Sequence, residues 1–457
     1  MDYVRSNVDD IRSVFPLKKI LVSSGTFNGN TGTTARITGG SQPFTNSMTS
    51  HLIRAQVPAG SRFNIQKIRI AKDQSGRVRV SSLWDKDTSQ PDIVRPEILA
   101  VAMAGKIKLA QLTGNSISND DLRILKSSFD PTLRTDLIFA LARLNPDIVS
   151  GLADVAEGIK DPSILQAVLN VLALSDQQVL MSHEHLILKM LNQIEKGNSD
   201  PGVDASIALL RKKLGQAVQV VGSENLQNPN QNWYINSVGQ TMVRASKNDT
   251  HEKYDFWIAR TEVTVSRYQQ VMHGAQSDLD APERKASFFH AAEFCNRLSQ
   301  LAGIPEDQWC YSPNAQGNYS AGMSVKPGYQ ELTGYRLPTR EEWEASYKYG
   351  KTTTWEHGNN KNNCLLFENI ADTNGIQPVG LRLPTTLGLF DMGGNVAEWL
   401  TPENKLRIDD ETPLQLGGGY YRLGPKSSNR VVLESRPRSN SFKNATGLRV
   451  LRKLDIE

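Results

Sequence analysis

Apolar residues recur at three- and four-residue steps through the middle of the chain and at two-residue steps before it, and this change of period divides the sequence. In "SRFNIQKIRIAKDQSGRVRVSSLWD" Phe63 and Ile65 are two apart, as are Ile68 and Ile70, and "DQSG" separates them from Val78 and Val80. That spacing predicts a hairpin. Residues 22–50 are crowded with Ser, Thr, Gly and Asn and read as loop or as short, turn-rich strands. Residues 1–90 are therefore expected to form a small β-containing region. From "RPEILAVAMAGKIKLAQL" onward the pattern turns helical, and three segments open with Asp-Pro, at 130, 161 and 200. Asp accepts from the first free backbone N–H groups of a helix, and Pro at the first helical position gives up only a donor that had no partner. Behind the first start stand Leu133, Leu137, Leu141 and Leu144, one stripe of a helix. Starts spaced by about 31 and 39 residues predict HEAT-like stacked helical hairpins over 91–222.

A run rich in Asn and Gln, "GSENLQNPNQN", closes the helical region, and the composition then changes. Residues 223–457 hold most of the Trp, Gly and Pro, with short strand-like runs between long irregular segments. Loops of that length in a compact domain need internal fastening. The chain has 457 residues, long enough for two or three domains, and a net charge of +4 that is small for a general nucleic-acid binder. Its first hundred residues carry roughly +6, scattered as on a solvated face. No apolar run is long enough to span a membrane, and the N-terminus has early acids and no apolar core of a signal peptide. Three cysteines without a CxxC pair suit free thiols in a reducing compartment, so a cytoplasmic protein is expected.

The third region carries ordered motifs: "RTEVTVSRYQQVM", "ASFFHAAEFCNRLSQLAGIPEDQWCY", "TGYRLPTREEWEASYKYG", "GLFDMGGNVAEWL", "LGGGYYR" and a terminal "TGLRVLR". In "LPTREEWE" Thr339 and Glu342 have the spacing of a capping box, which turns Trp343 toward the core, and Arg336 just before them suits a structural ion pair. In the order and spacing of these motifs, residues from about 200 to 455 resemble the formylglycine-generating-enzyme, or sulfatase-modifying-factor, domain family. The likeness is greatest to bacterial multidomain versions preceded by helical repeats. The resemblance implies an α+β multidomain chain whose C-terminal part has an irregular fold related to C-type lectins.

In "GLFDMGGNVAEWL" Gly393 and Gly394 permit positive φ or close backbone approach, and Asn395 and Glu398 offer oxygen atoms three residues apart. Flexible oxygen shells of this kind suit calcium, and the resembling domain binds calcium with such a loop. "ENIADTNG", with Asn369 and Asp372, is then a candidate second loop. The alternative reading is that Asn395 and Glu398 only hydrogen-bond the buried backbone of their loop. Active members of the family oxidise a substrate cysteine with copper(I) held by two cysteines five positions apart, since soft copper(I) selects thiolates. Here the corresponding positions fall near Arg422 and Ser427, and no cysteine follows Cys364, so no copper is expected. The iron-dependent sulfoxide synthases of the same fold use a His-x3-His pair in a preceding helical bundle. His183 and His185 are two apart and on one helix would point in different directions. No P-loop Lys or GxSxG elbow appears, Cys295 and Cys310 read as core, and Cys364 has no identifiable His partner.

A non-catalytic protein-interaction domain joined to helical repeats is accordingly the expected function, with a protein partner. Its expected ligand face is 417–446, which holds Tyr420, Tyr421, Arg422, Arg430, Arg436 and Arg438, since Tyr and Arg predominate in binding hot spots. Two alternatives stay open: a divergent metal-dependent oxidase of the family, and a lectin-like binder of the kind that retroelements diversify.

Overall fold

The computed structural model describes the backbone of 19–27, 44–45, 48–56, 68–72 and 78–82, and helical positions 100, 104 and 107. It goes on to describe residue 117 and residues 122–143, 147–216, 232–245, 255–274, 279–360, 363–370, 375–402, 406–410, 412, 416–418, 432–433 and 446–453. The first strands are β1 (Lys19–Phe27), β2 (Phe44–Thr45), β3 (Met48–Gln56), β4 (Ile68–Lys72) and β5 (Val78–Ser82), in the sheet order β2-β1-β3-β4-β5. The hairpin predicted around "DQSG" is present, with Ile70 opposite Val80. Residues 22–50 hold more strand than their composition suggests. β1 runs through Phe27 and pairs antiparallel with β3 from Lys19–Gln56 to Phe27–Met48. Ser and Thr are poor local signals, and the partner that makes them strands lies some twenty residues away. Phe63 and Ile65 lie outside the described residues.

Six helices come next among the described residues: α1 (Thr132–Ala142), α2 (Asp147–Ala156), α3 (Pro162–Ala173), α4 (Gln177–Ser182), α5 (Glu184–Glu195) and α6 (Pro201–Lys213). Asp161 caps α3, accepting from the backbone N–H of Ser163 at 3.0 Å, and Asp200 caps α6, accepting from that of Val203 at 2.8 Å. Ala100, Ala104 and Ile107, spaced by a helical turn, are buried. α1 is buried on nearly all sides, Leu137 and Leu141 with Arg134, whose Nε donates to the Leu125 carbonyl at 2.8 Å and Nη2 to that of Ser163 at 3.0 Å. His183 and His185 do not share a helix: His183 closes α4 and His185 lies in α5.

Two compact units divide the chain, one of Met1–Lys126 with Thr132–Gln193 and one of Ser127–Pro131 with Ile194–Glu457. The second begins well before 223 and takes in α6. Polar bonds tie α6 to later parts of that unit: Arg260 Nη2 donates to Asp204 at 2.6 Å, and Lys212 Nζ donates to Asp280 at 3.0 Å and to the Val379 carbonyl at 2.9 Å.

Inside the second unit β6 (Trp233–Ile235), β7 (Thr241–Ala245) and β8 (Phe256–Ala259) are joined by the last strand of the chain in the order β16-β8-β7-β6. β16 (Leu451–Arg452) pairs antiparallel with β8, Leu451 opposite Ile258, so the chain returns nearly two hundred residues later to the sheet of β6–β8. This sheet separates two cores. Met242, Trp257 and Ala259 face one, with the helix α8 (Phe288–Leu301), while Val243, Phe256 and Ile258 face the other, with Trp343, Tyr347 and Leu451. A strand buried on both faces explains why "FWIA" is an unbroken apolar run. Thr264 caps α7 (Val265–His273), and Ser287 caps α8. β9 (Tyr311–Ser312) and β10 (Met323–Val325) precede α9 (Arg340–Lys348), whose Thr339/Glu342 capping box forms as predicted. The remaining short strands are β11 (Ala397–Trp399), β12 (Arg407–Ile408), β13 (Leu416–Gly417), β14 (Val432–Leu433) and β15 (Thr446–Gly447). They complete a sheet β12-β10-β9 and a sheet β14-β13-β11-β15.

Candidate functional site

The capping box at α9 sets the first residues of the site. Glu342 accepts from the Thr339 N–H at 2.9 Å and from both terminal nitrogens of Arg336 at 2.7 Å, so Arg336 is the buried ion pair its position suggested. One residue on, Trp343 is fully buried and its Nε1 donates to Glu398 at 2.7 Å. Glu398 sits in β11 with no solvent exposure. Arg449 donates to Glu398 from Nη2 at 2.7 Å and from Nε at 3.0 Å, and donates from Nη2 to the Phe390 carbonyl and from Nη1 to the Ala259 carbonyl, each at 2.9 Å. Burial opposes the charge of Arg449, but Glu398 holds its guanidinium above the ordinary value.

Gly393, Gly394 and Asn395 form the turn into β11. Neither glycine takes positive φ; Asn395 does, at 58°, a conformation that Asn tolerates better than most residues. Gly394 is needed for close approach, since a Cβ there would lie 2.6 Å from the Asn369 carbonyl oxygen. The structure brings Asn369 and Asn395 together, the Asn369 Nδ2 donating to Asn395 Oδ1 at 3.0 Å. The Gln377 N–H donates to the same oxygen at 3.0 Å, and Asn395 Nδ2 donates to Glu262 at 2.7 Å. Glu262 accepts also from the Val396 N–H at 2.9 Å. Its burial, and then the charges of Asp391 and Glu398, push its carboxyl well above the usual range. Burial likewise raises Asp391 to about 6.

This geometry does not suit Asn395 and Glu398 as calcium ligands. Both Glu398 oxygens accept from Arg449 and Trp343, and Asn395 Oδ1 already accepts two N–H groups, so neither residue offers an oxygen free for a cation. Among the described residues no group of three or more His, Cys, Asp and Glu side chains is placed to hold a metal. Asp372 lies outside the described residues. So do Tyr420, Tyr421, Arg422, Arg430, Arg436 and Arg438.

The stems of 417–446 are described. β13 at one end pairs with β11, Glu398 opposite Gly417, and with β14 in the middle of the segment, Gly417 opposite Val432. At the far end β15 runs parallel to β11, Glu398 opposite Gly447. Gly417 lies against the Trp343 ring, where a Cβ would come within 2.4 Å of Cε2. The buried Trp343–Glu398–Arg449 group is thus centred on β11, the strand with which both ends of this segment pair.

Cys364, contrary to the expectation from sequence, does have a histidine partner, His357, whose Nε2 lies 3.4 Å from the thiol sulfur. The imidazole is stacked between Trp355 and Phe367, at ring separations of 5.8 and 5.1 Å. Burial holds it neutral, with its pKa lowered to about 3. The signal was the seven-residue spacing in "HGNNKNNC", which a turn can close, but neutral polar spacing of that kind carries little information. Cys295 and Cys310 are buried, as expected for core residues.

Residues 222–454 match the family model described as sulfatase-modifying factor enzyme 1-like domain. The chaperone protein LppX of Paenibacillus barcinonensis is 27% identical over 237 residues, 43% of this chain and 80% of that protein. Two solved structures are similar: Treponema denticola variable protein 1, with TM-score 0.37 and 21% identity over 47% of this chain and 95% of its own, and CarF, with TM-score 0.34 and 23% identity over 44% of this chain and 87% of its own.

Proposed function

The chain belongs to the family of sulfatase-modifying factor enzyme 1-like domains, and from that premise we propose that its family domain is a non-catalytic scaffold that presents residues 417–446 to a protein partner. The observation that carries this reading is the anchoring of both ends of the segment to one strand, β11, and of its middle to β13, over a fully buried ion pair. Loops held on a rigid frame are where recognition residues usually sit. The sequence places Arg422 and Ser427 where formylglycine-generating members carry copper-binding thiols, and neither side chain replaces a thiolate. The name of the Paenibacillus relative, a chaperone protein, supports a role in which another polypeptide is the ligand. Stacked helices in the first unit would supply a second contact surface. Three buried cysteines with no disulfide suit a reducing, cytoplasmic setting.

The test is affinity capture from the native host with the intact chain and with the double variant Tyr421→Ala/Arg422→Ala. The variant is expected to lose the captured protein by at least about tenfold, the scale of two hot-spot residues, and to melt within a degree or two of the parent. Undiminished capture by the variant would misplace the surface. Conversion of a peptide cysteine to an aldehyde by the purified chain would end the non-catalytic reading.

A further inference from the structure

Between α6, the start of β7 and the loop around Phe390, the second unit forms a partly open pocket of about 310 Å³. That size is at the lower end of the range of about 300–1,000 Å³ found for small-molecule sites. Its wall includes Lys212, Arg260, Arg267 and Gln240, with Leu209 and Phe390 as apolar surface. Asp280 is the one acidic residue of the wall, and its carboxylate accepts from Lys212.

The cations of this wall are incompletely matched. Arg260 is 7% exposed and places only Nη2 in a hydrogen bond, to Asp204, while its Nε has no partner. Arg267 meets only neutral acceptors: the Gly239 carbonyl accepts from Nη2 at 2.8 Å and the Thr264 hydroxyl from Nη1 at 3.3 Å, and Nε again has none. Burial draws the Arg267 pKa below its ordinary value, against the pull of Asp280. Gln240, 1% exposed, donates through Nε2 to the Thr261 carbonyl at 3.2 Å, and its Oε1 has no donor. Arg267, half-buried and hydrogen-bonded only to neutral oxygens, has fork positions that a planar or tetrahedral oxyanion would match.

We propose that this cavity binds a small organic oxyanion, a carboxylate or a phosphate monoester, whose charged head lies between Arg260 and Arg267 and whose apolar part, about one ring in size, lies on Leu209 and Phe390. The three cations outnumber the acids around them, Asp280 on the wall and Asp204 bound to Arg260, so a singly charged head balances the site.

Calorimetry and thermal melting of the intact chain at constant ionic strength, with acetate, inorganic phosphate, benzoate, phenyl phosphate and neutral benzyl alcohol, test the site. At least one ring-bearing anion is expected to bind with Kd below about 10 mM, an easily measured affinity, and to raise the melting temperature. Benzoate against phenyl phosphate then distinguishes the two head groups, and benzyl alcohol is expected not to bind. Arg260→Gln and Arg267→Gln should each weaken the bound anion by at least about tenfold, as loss of a charge-assisted hydrogen bond does. Arg267→Gln leaves the Arg260–Asp204 pair in place and keeps the test decisive if Arg260→Gln fails to fold. The proposal is overturned if no anion binds, if benzyl alcohol binds as well as benzoate, or if Arg267→Gln binds like the parent.

Discussion

Arg449 shows how one residue sets the character of the family domain. Its three guanidinium nitrogens serve a carboxylate and two carbonyls with no solvent exposure, and the "TGLRVLR" motif that contains it is legible in the sequence, but its partners are not. Arg449→Met would strand Glu398 as an uncompensated buried charge. We expect a loss of about 3–5 kcal/mol, read from chemical denaturation, because breaking a buried pair costs more than the pair contributes. A neutral or stabilising outcome would mean that the fold accommodates Glu398 without the guanidinium. His357 gives a pH signature. The unfolded chain takes up a proton near 6.5, whereas the folded one refuses it until about 3. The stability this histidine contributes is therefore present above pH 6.5 and lost as pH falls from there toward 3. In His357→Gln the slope of melting temperature against pH over that window should become shallower, and an unchanged slope would assign acid sensitivity to other groups.

Elements differ in how much of their cause is local. The helix starts at 161 and 200 were readable because a cap and a proline act within one turn, and both caps form. Asp161→Ala should cost about 1 kcal/mol, measured as a lowered denaturation midpoint, and no change would mean the Asp161 cap is not needed. At 130 the Asp-Pro signal held less well, since α1 begins at Thr132 and buries Arg134, Thr135 and Asp136, a polar set no apolar period announces. Strands were harder. β1 and β3 take their stability from each other across a long connection, so the Ser- and Thr-rich run of 22–50 read as loop or as short, turn-rich strands. β11, β13, β14 and β15 are two or three residues long and exist only as a set.

For the whole molecule, α6 precedes the matched family residues 222–454 yet packs in the second compact unit. Its Asp204 and Lys212 bond to Arg260, Asp280 and Val379, partners 56 to 167 residues distant. A fragment beginning at Ile194 should accordingly melt in one transition several degrees above a fragment beginning at residue 223, since a few kcal/mol moves a domain of this size by that much. Equal midpoints would return α6 to the helical region. The same docking creates the cavity beside Arg260 and Arg267, which no motif marks.

The sequence by itself determined the three composition zones, the capped helices, the Thr339/Glu342 capping box with its neighbouring Trp343, and membership of the family domain, because each rests on residues close in the chain or on motifs in fixed order. Tertiary structure alone decided that Asn395 and Glu398 are fastened to Glu262, Trp343 and Arg449, that Cys364 meets His357, and that α6 joins the second unit. Hydrogen-bond satisfaction and charge balance belong to groups that meet only after folding, and spacing along the chain does not encode which acceptor a buried donor will find.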